Sequence, residues 1–346
     1  MASRPTTRPT IRDVAKAAGV SVTTVSHALN DKGRVDPATR ALVAQVVHQL
    51  GYRANRHAQG LRSGRSGALA LLLPIRTDAR ADEALSLDFY LRLASAAAGA
   101  AFSQEQALML LPPTIVQTGL HGLGLDGGIV VDPSPRDPRV SLLAGQGLPV
   151  VTIERDLGRP DDLWFVASEA AVNARQVLDH LAARGARRIA LLVPRTDWGW
   201  ATETLSAYDS WVREHRVPRL ITPVAMEPGE ESAFLAARRL LDRPRPPDAI
   251  FVVAARFVRG VLRAAEAAGR RVPGQLLIAA GVDSLQAREG HPPVTALDLH
   301  PERQAEAAVE MLLARLNDDR VEAPRYIPAT LRLRTSTGGQ PVTGSS

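Results

Sequence analysis

From Ala68 to about residue 317, short runs rich in Val, Ile, Leu and Ala alternate with stretches of helical composition, and this alternation restricts the fold more than any other feature. The runs "ALALLL" (68–73), "ALMLL" (107–111), "GGIVV" (127–131), "PVVTI" (149–153), "RIALLV" (188–193), "AIFVV" (249–253) and "LLIAA" (276–280) are predicted strands. Helices are predicted near 89–103, 169–184, 201–216, 230–242, 256–269 and 302–317. Strands separated by helices of this length form parallel sheets covered by those helices. At 346 residues the chain is also long enough for two or three domains.

An α/β body is a common platform for enzymes, so catalytic signatures matter. "GLGLDG" (122–127) satisfies the spacing G-x-G-x-x-G, but it leads into the strand "GIVV" instead of joining a strand to a helix, so the dinucleotide context fails. No nucleophile elbow, P-loop or H-E-x-x-H motif occurs, and no carboxylates stand out as a catalytic pair. The reading is therefore non-enzymatic, with no cofactor. The chain has no cysteine and its eight histidines are scattered, which predicts neither disulfides nor a metal site. No apolar run approaches the roughly 20 residues of a membrane helix. The start "MASRPTTRPTIRD" lacks the apolar region of a secretory signal, so a cytoplasmic protein is expected.

Charge is distributed unevenly. Residues 1–66 hold eleven Lys or Arg against three Asp, a net +8, which leaves −2 on the rest of a chain whose total is +6. A compact basic segment on a nearly neutral body is an electrostatic footprint of nucleic-acid binding. It is not a disordered tail, because it carries helical periodicity. Ile11, Val14, Ala15 and Ala18 fall on one face of a short helix, and Gly19 stands where a helix ends in a left-handed residue. Ser21 is placed to cap a second helix with Val25, Ala28 and Leu29 inward and Asn30 closing it. Asp36 and Pro37 open a third, which runs through Leu42, Val43, Val46 and Leu50 and stops at Gly51. Two short helices around a tight turn, followed by a third, are helix-turn-helix architecture. The β-branched run from Val20 to Val25 would favour a strand, but here it straddles the turn and the start of the second helix. Short side chains there allow close approach to DNA, and the hydroxyls of Ser21, Thr23 and Thr24 can reach phosphates or base edges.

The segments "TIRDVAKAAGVSVTTVSHALN" and "RVDPATRALVAQVVHQLGYRANRHAQGL" run nearly unbroken from Thr10 to Leu61 and resemble the lactose-repressor/galactose-repressor family of bacterial transcription regulators. The resemblance implies that Val22 and Thr23 occupy the base-reading start of the recognition helix, with His27 as the third reading position. It matches Ser21, Ser26, Asn30 and Thr39 to phosphate-contacting positions, with Thr10 and Arg34 as helpers. His27 departs from the arginine common in the family, which grips guanine with two hydrogen bonds. Val22 offers an apolar contact suited to a thymine methyl.

By the same resemblance, residues 55–66 form a hinge that enters the minor groove beside its dimer mate. Asn55, Ala58 and Leu61 match that pattern, with Leu61 as a wedge between base pairs. The segment is polar, basic and Gly-containing, so by itself it reads as a flexible linker. The implied organisation is an arm over 1–9, a DNA-binding domain over 10–54, the hinge, and a two-lobed body over 67–335 resembling a periplasmic binding protein. One lobe is placed at 67–158 plus 285–316 and the other at 159–284 plus 317–335. The polar tail 336–346 is expected to be disordered.

The family implies a small-molecule effector between the lobes, saccharide-like, acting as inducer or corepressor. "LDFYLRL" supplies Phe89 and Tyr90, "TIERD" supplies Glu154 and Arg155 at a strand's C-terminal end, and "GVDS" supplies Asp283. The usual arginine of the second lobe aligns with Thr204, and the usual Asn-Asp pair with Ala254 and Ala255. "TDWGWATE" places Trp198 and Trp200 beside the expected cleft. These departures predict a pocket more aromatic and less polar than a simple-sugar site, or one that has lost small-molecule control. The expected whole is a homodimeric repressor of a catabolic or transport operon, bound to an inverted-repeat operator. A secreted solute-binding protein is the competing class, opposed by the basic headpiece and the missing signal.

Overall fold

The computed structural model describes residues 9–29, 33, 35–52, 65–74 and 88–339. Asn30, Arg34, Asn55, Ala58 and Leu61 lie outside them, as do most of the arm and the hinge. The chain divides into two units, Met1–Gly67 and Ala68–Ser346.

The first unit holds α1 (Ile11–Ala18), α2 (Val22–Leu29) and α3 (Pro37–Leu50). The Asp13 carboxylate accepts both the N–H and the hydroxyl of Thr10 at 2.7 Å, closing the first turn of α1. Gly19 ends that helix at φ 66°, a left-handed conformation that a side chain would strain. Ser21 Oγ accepts the N–H of Thr24 at 3.0 Å, and Asp36 accepts that of Thr39 at 3.1 Å, so both predicted caps are made. Val14, Ala15 and Ala18 of α1, Val25 and Ala28 of α2, and Val43 and Val46 of α3 form one small core. Leu29, read from the sequence as inward, is exposed instead, as are Leu42 and Leu50. Valines and alanines fill the core in their place.

The second unit contains two six-stranded sheets. The first lobe is built from β1 (Ala68–Leu72), α4 (Asp88–Ser103), β2 (Ala107–Leu111), α5 (Ile115–Thr118), β3 (Gly127–Val131), α6 (Pro138–Gly145), β4 (Val150–Ile153) and β5 (Phe165–Ala167). The second holds α7 (Ala170–Ala183), β6 (Ile189–Pro194), α8 (Gly199–His215), β7 (Leu220–Val224), α9 (Gly229–Leu241), β8 (Ala249–Val252), α10 (Val258–Ala267), β9 (Leu277–Ala280), α11 (Leu285–Arg288) and β10 (Thr295–Asp298). The chain then returns to the first lobe as α12 (Pro301–Asn317) and β11 (Arg325–Tyr326), and ends in the second as β12 (Thr330–Arg332).

The strand orders are β2-β1-β3-β4-β5-β11 and β7-β6-β8-β9-β10-β12, so the lobes repeat one doubly wound plan. Each sheet is covered on both faces by apolar clusters, which accounts for strands that read as continuous hydrophobic runs. All seven strands and six helices read from the body sequence are present.

The crossings between lobes fall after β5, β10 and β11, later than placed from the sequence. Phe165–Ala167 pairs with β4 in the first lobe, Thr295–Asp298 with β9 in the second, and Arg325–Tyr326 with β5. These strands have two to four residues, too few for alternation to show. The start of the expected disordered tail is also ordered: Ser336 and Thr337 are buried. Ser336 Oγ accepts the Thr295 N–H at 2.9 Å and donates to the Ile278 carbonyl at 2.5 Å. Small hydroxyl side chains there satisfy backbone groups inside the second lobe.

Candidate DNA-binding surface and effector cleft

On the headpiece, α2 divides cleanly into an inner and an outer face. Val25 and Ala28 are buried, while Ser21, Val22, Thr23 and His27 are exposed. Val22 is 38% exposed, which leaves its apolar side chain free for a contact outside the unit. Thr23 and His27, four residues apart, share one side of the helix. The His27 ring lies against Gly33 (φ 71°), where a Cβ would come within 2.8 Å of Nδ1. Thr24 is partly buried, its hydroxyl 2.8 Å from Ser21 Oγ. Ser26 departs from its expected phosphate-facing position, because at 6% exposure it belongs to the inner face. Thr10 and Thr39 sit at helix starts, where backbone N–H groups favour anions.

In the body, a cleft opens between the lobes, outside the carboxyl ends of the strands, where doubly wound sheets bind ligands. The first lobe contributes Phe89 and Tyr90 from α4, Asp132 just past β3 and Glu154 just past β4. The second contributes Trp198, Trp200 and Thr204 at the start of α8, and Arg256 in the turn after β8. Phe89 and Tyr90 meet edge to face with centroids 5.4 Å apart, and Trp198 and Trp200 are tilted at 5.7 Å. Among the described residues, two ion pairs cross between the lobes: Arg155 to Glu203 at 2.9 Å and Arg288 to Asp88 at 2.6 Å.

Of the effector residues expected from the sequence, Phe89, Tyr90, Glu154, Trp198, Trp200 and Thr204 come together in this cleft. Arg155 and Asp283 do not line it. Arg155 turns to Glu203 and lies over the Phe165 ring. The Asp283 carboxylate lies 2.9 Å from the buried Arg334 guanidinium and 3.7 Å from Arg288. A buried arginine requires such a partner, and Arg334 comes from the C-terminal return of the chain to the second lobe. Trp200 lies in the first turn of α8, not in the loop before it.

The comparisons with known proteins agree along the whole chain. Residues 10–55 match the model for bacterial regulatory proteins of the lacI family, and residues 178–337 match that for a periplasmic binding protein-like domain. The transcriptional regulator PtxS of Pseudomonas plecoglossicida is 30% identical, the alignment covering 97% of each chain. This chain belongs to the LacI family. CelR of Thermobifida fusca is 29% identical over 93% of this chain and 96% of its own. A solved CelR–cellobiose complex superimposes with a TM-score of 0.71 at 26% identity, covering 95% of this chain and all of the other. The lac repressor dimer bound to operator and an anti-inducer shares the fold, with a TM-score of 0.78 at 21% identity over 96% and 99% of the two chains. LacI-family proteins are DNA-binding transcriptional regulators, not enzymes. Among the described residues, no helix is long and apolar enough to cross a membrane.

Measured against the LacI-family pattern, the cleft holds groups that the sequence reading missed. Asp132 accepts the Tyr90 hydroxyl at 2.6 Å. Glu154 accepts the Ser168 N–H at 3.1 Å, and the Asn173 amide is bonded to the Ser168 carbonyl. Arg256 stands one residue beyond the alanines that replace the usual Asn-Asp pair, and Gln304 reaches in from α12. Asp132 had a legible signal, an acid directly after the strand "GGIVV". Gln304 had none, because it lies 150 residues beyond Glu154 in sequence, on a helix that begins after a crossing.

Burial pushes the Asp132 carboxyl up to about 6, against the Tyr90 hydrogen bond and the Arg139 charge, which lower it. Burial, aided by the Asp132 charge, pushes Glu154 up to about 8, while Ser168 opposes. Burial and the Asp132 charge hold Tyr90 well above the usual phenol range. Folding therefore favours protons on both acids, which the unfolded chain releases near its ordinary values of 3.8 and 4.5. The associated stability is fully present below those values and is lost as pH rises through about 6 and then about 8. The unliganded protein should accordingly lose thermal stability between about pH 5 and pH 8, by an amount on the order of a few kcal/mol. Glu154→Gln should flatten the upper part of that slope in a melting series. A wild-type melting temperature that stayed level over the range would contradict the burial of these acids.

Proposed function

We propose that this protein is a cytoplasmic homodimeric repressor of a catabolic or transport operon, which binds an inverted-repeat operator and responds to a saccharide-like effector in the interlobe cleft. The observation that carries the reading is a pair of surfaces on one LacI-family chain. One is an outward face of α2 bearing Val22, Thr23 and His27; the other is a lobe–lobe cleft walled by aromatics and floored by acids. The +8 charge of the first 66 residues supplies nonspecific attraction to phosphates. Asn55, Ala58 and Leu61, outside the described residues, take the minor-groove role by resemblance, with Leu61 as the wedge.

Dimerisation is supported by the edge of the first lobe. Helix α4 and the edge strand β2 expose Leu91, Phe102 and Leu110, with Phe102 at 76%. Such residues on an edge strand invite pairing with a second copy. The cleft suits a saccharide because aromatic faces stack on sugar rings while carboxylates accept from hydroxyls. CelR, whose solved complex contains cellobiose, shows such a ligand in a relative of this fold.

A thermal-shift and operator-release screen of mono- and disaccharides tests the cleft. A ligand that alters operator affinity and loses its effect in Trp200→Ala is the expected outcome. Tight binding of a monosaccharide unaffected by Trp200→Ala and Asp132→Asn would contradict the assignment. At the DNA, Thr23→Ala or His27→Ala should relax base preference, by about 1–3 kcal/mol at the contacted pair. Loss of affinity alike for all sequences would instead make these residues phosphate contacts.

A further inference from the structure

We propose that the effector carries a basic nitrogen, held by Asp132 and Glu154 between the aromatic walls of the cleft, so that its chemical class is an aminated saccharide. This inference rests on the saccharide-like reading of the cleft and narrows it.

Strand register places the two acids together. Val131 of β3 pairs with Ile153 of β4, so Asp132 and Glu154 are the next residues on adjacent strands, and the Asp132 N–H donates to the Ile153 carbonyl at 2.9 Å. Both hold left-handed backbone angles, φ 45° and 72°, which residues other than glycine adopt at a cost and which gather at ligand sites. Both are buried, at 6% and 7% exposure.

Buried carboxylates are ordinarily paired with cations. Among the described residues, neither of these is. Arg139, whose charge acts on Asp132, is committed to Asp137 and to the carbonyls of Leu72, Val131 and Asp132. Arg256 lines the cleft, but its Nη1 donates to the Met226 carbonyl at 3.1 Å. Two acids against one guanidinium leave the cleft short of positive charge, a shortage that the free protein meets near neutral pH by keeping a proton on Glu154.

Hydrogen bonding is unbalanced in the same direction. Gln304 is fully buried, its amide nitrogen donates to the Leu299 carbonyl at 2.8 Å, and its Oε1 has no partner. An unpartnered buried acceptor beside two carboxylates calls for a ligand rich in donors. Trp198, Trp200, Phe89 and Tyr90 present π faces and edges around the same space, and aromatic faces attract cations. A neutral sugar could donate hydroxyls to these acceptors but brings no cation to take the place of the proton on Glu154. An ammonium group answers both.

The proton balance follows from the groups around Glu154. Asp132 and Glu203 raise its affinity for a proton and Ser168 lowers it, while Tyr90, Arg139 and Trp200 lower that of Asp132 and Arg256 acts on Tyr90. Near neutral pH the free protein holds a proton on Glu154. Docking of R–NH3+ against the carboxyl forms an ammonium–carboxylate pair and releases that proton to solvent. A neutral saccharide accepting from the protonated carboxyl would release none.

Calorimetry on the full-length protein compares cellobiose with the β-1,4-linked glucosamine dimer, which differs in bearing ammonium groups in place of 2-hydroxyls. At about pH 6.5, with the amine charged, titration in buffers of different ionisation enthalpy counts the protons. The diamine should bind at least about tenfold more tightly than cellobiose and release close to one proton. Glu154→Gln, with melting unimpaired, should erase both the preference and the release. Cellobiose binding as tightly as the diamine, or a preference that persists in Glu154→Gln, would overturn the amine assignment and leave the saccharide reading standing. Binding of neutral saccharides alone would do the same. If no saccharide of either kind bound, the reading on which the inference rests would fall with it.

Discussion

Val25→Asp should abolish operator binding, lowering affinity by about a thousandfold or more, while effector binding by the body continues. Val25 is fully buried at the centre of a core of seven buried residues, against Val14 and Val43. A carboxylate at that place would sit among apolar side chains, and burying it costs several kcal/mol. A headpiece of this size has little stability to spare, because small units bury a low fraction of their surface. The loss should appear as disappearance of headpiece helix and of the protected α2 amides in hydrogen exchange. The lobes are built on separate apolar clusters, so melting of the body and ligand uptake should be unchanged. Val25→Ala, which leaves a cavity instead of a charge, should cost only about 1–3 kcal/mol. Full operator affinity in Val25→Asp would mean that DNA is read by some other part of the chain.

Phe102→Arg should give a folded monomer whose operator affinity is lower by at least about a hundredfold. Its side chain is too exposed to contribute to the core of the first lobe, so the fold should be indifferent to the change. The charge would instead meet its symmetry mate across a twofold axis and oppose association. A dimer binds its second half-site at the effective concentration set by the first, and that gain, about 10²–10⁴, is lost in a monomer. Sedimentation velocity reads the state and fluorescence anisotropy the affinity. A Phe102→Arg protein that remained dimeric would move the proposed interface away from α4 and β2.

The sequence disclosed elements wherever a local rule governs them. Gly19, Asp36, Pro37 and Gly51 mark helix ends by backbone chemistry alone, and each stands where the structure has a boundary. Strands covered on both faces showed as unbroken apolar runs, so β1, β3, β4, β6, β8 and β9 were plain. Strand β7 was not, because it sits at a sheet edge and contains Pro223, which only an edge tolerates. Strands β5, β10 and β11 were hidden by shortness, and with them the positions of the crossings.

The cleft was legible on one side more than on the other. Aromatics stand out in a chain where they form 4% of residues, and Phe89, Tyr90, Trp198 and Trp200 all reach the site. Glu154 followed from its place at a strand end. Asp283 occupies an equivalent place, yet it faces Arg334, some 50 residues on, and no local pattern reports such a partner. The Asp132–Tyr90 bond and the open acceptor of Gln304 likewise depend on contacts between distant elements.

The central claim is that the chain reads DNA as a symmetric, effector-responsive LacI-family regulator. Selection of bound fragments from genomic DNA with the full-length protein, followed by footprinting of the strongest site at two salt concentrations, tests it most directly. The predicted result is a protected inverted repeat of about 14–20 base pairs, with affinity falling steeply as salt rises. A single unsymmetrical half-site, or binding indifferent to salt, would contradict it.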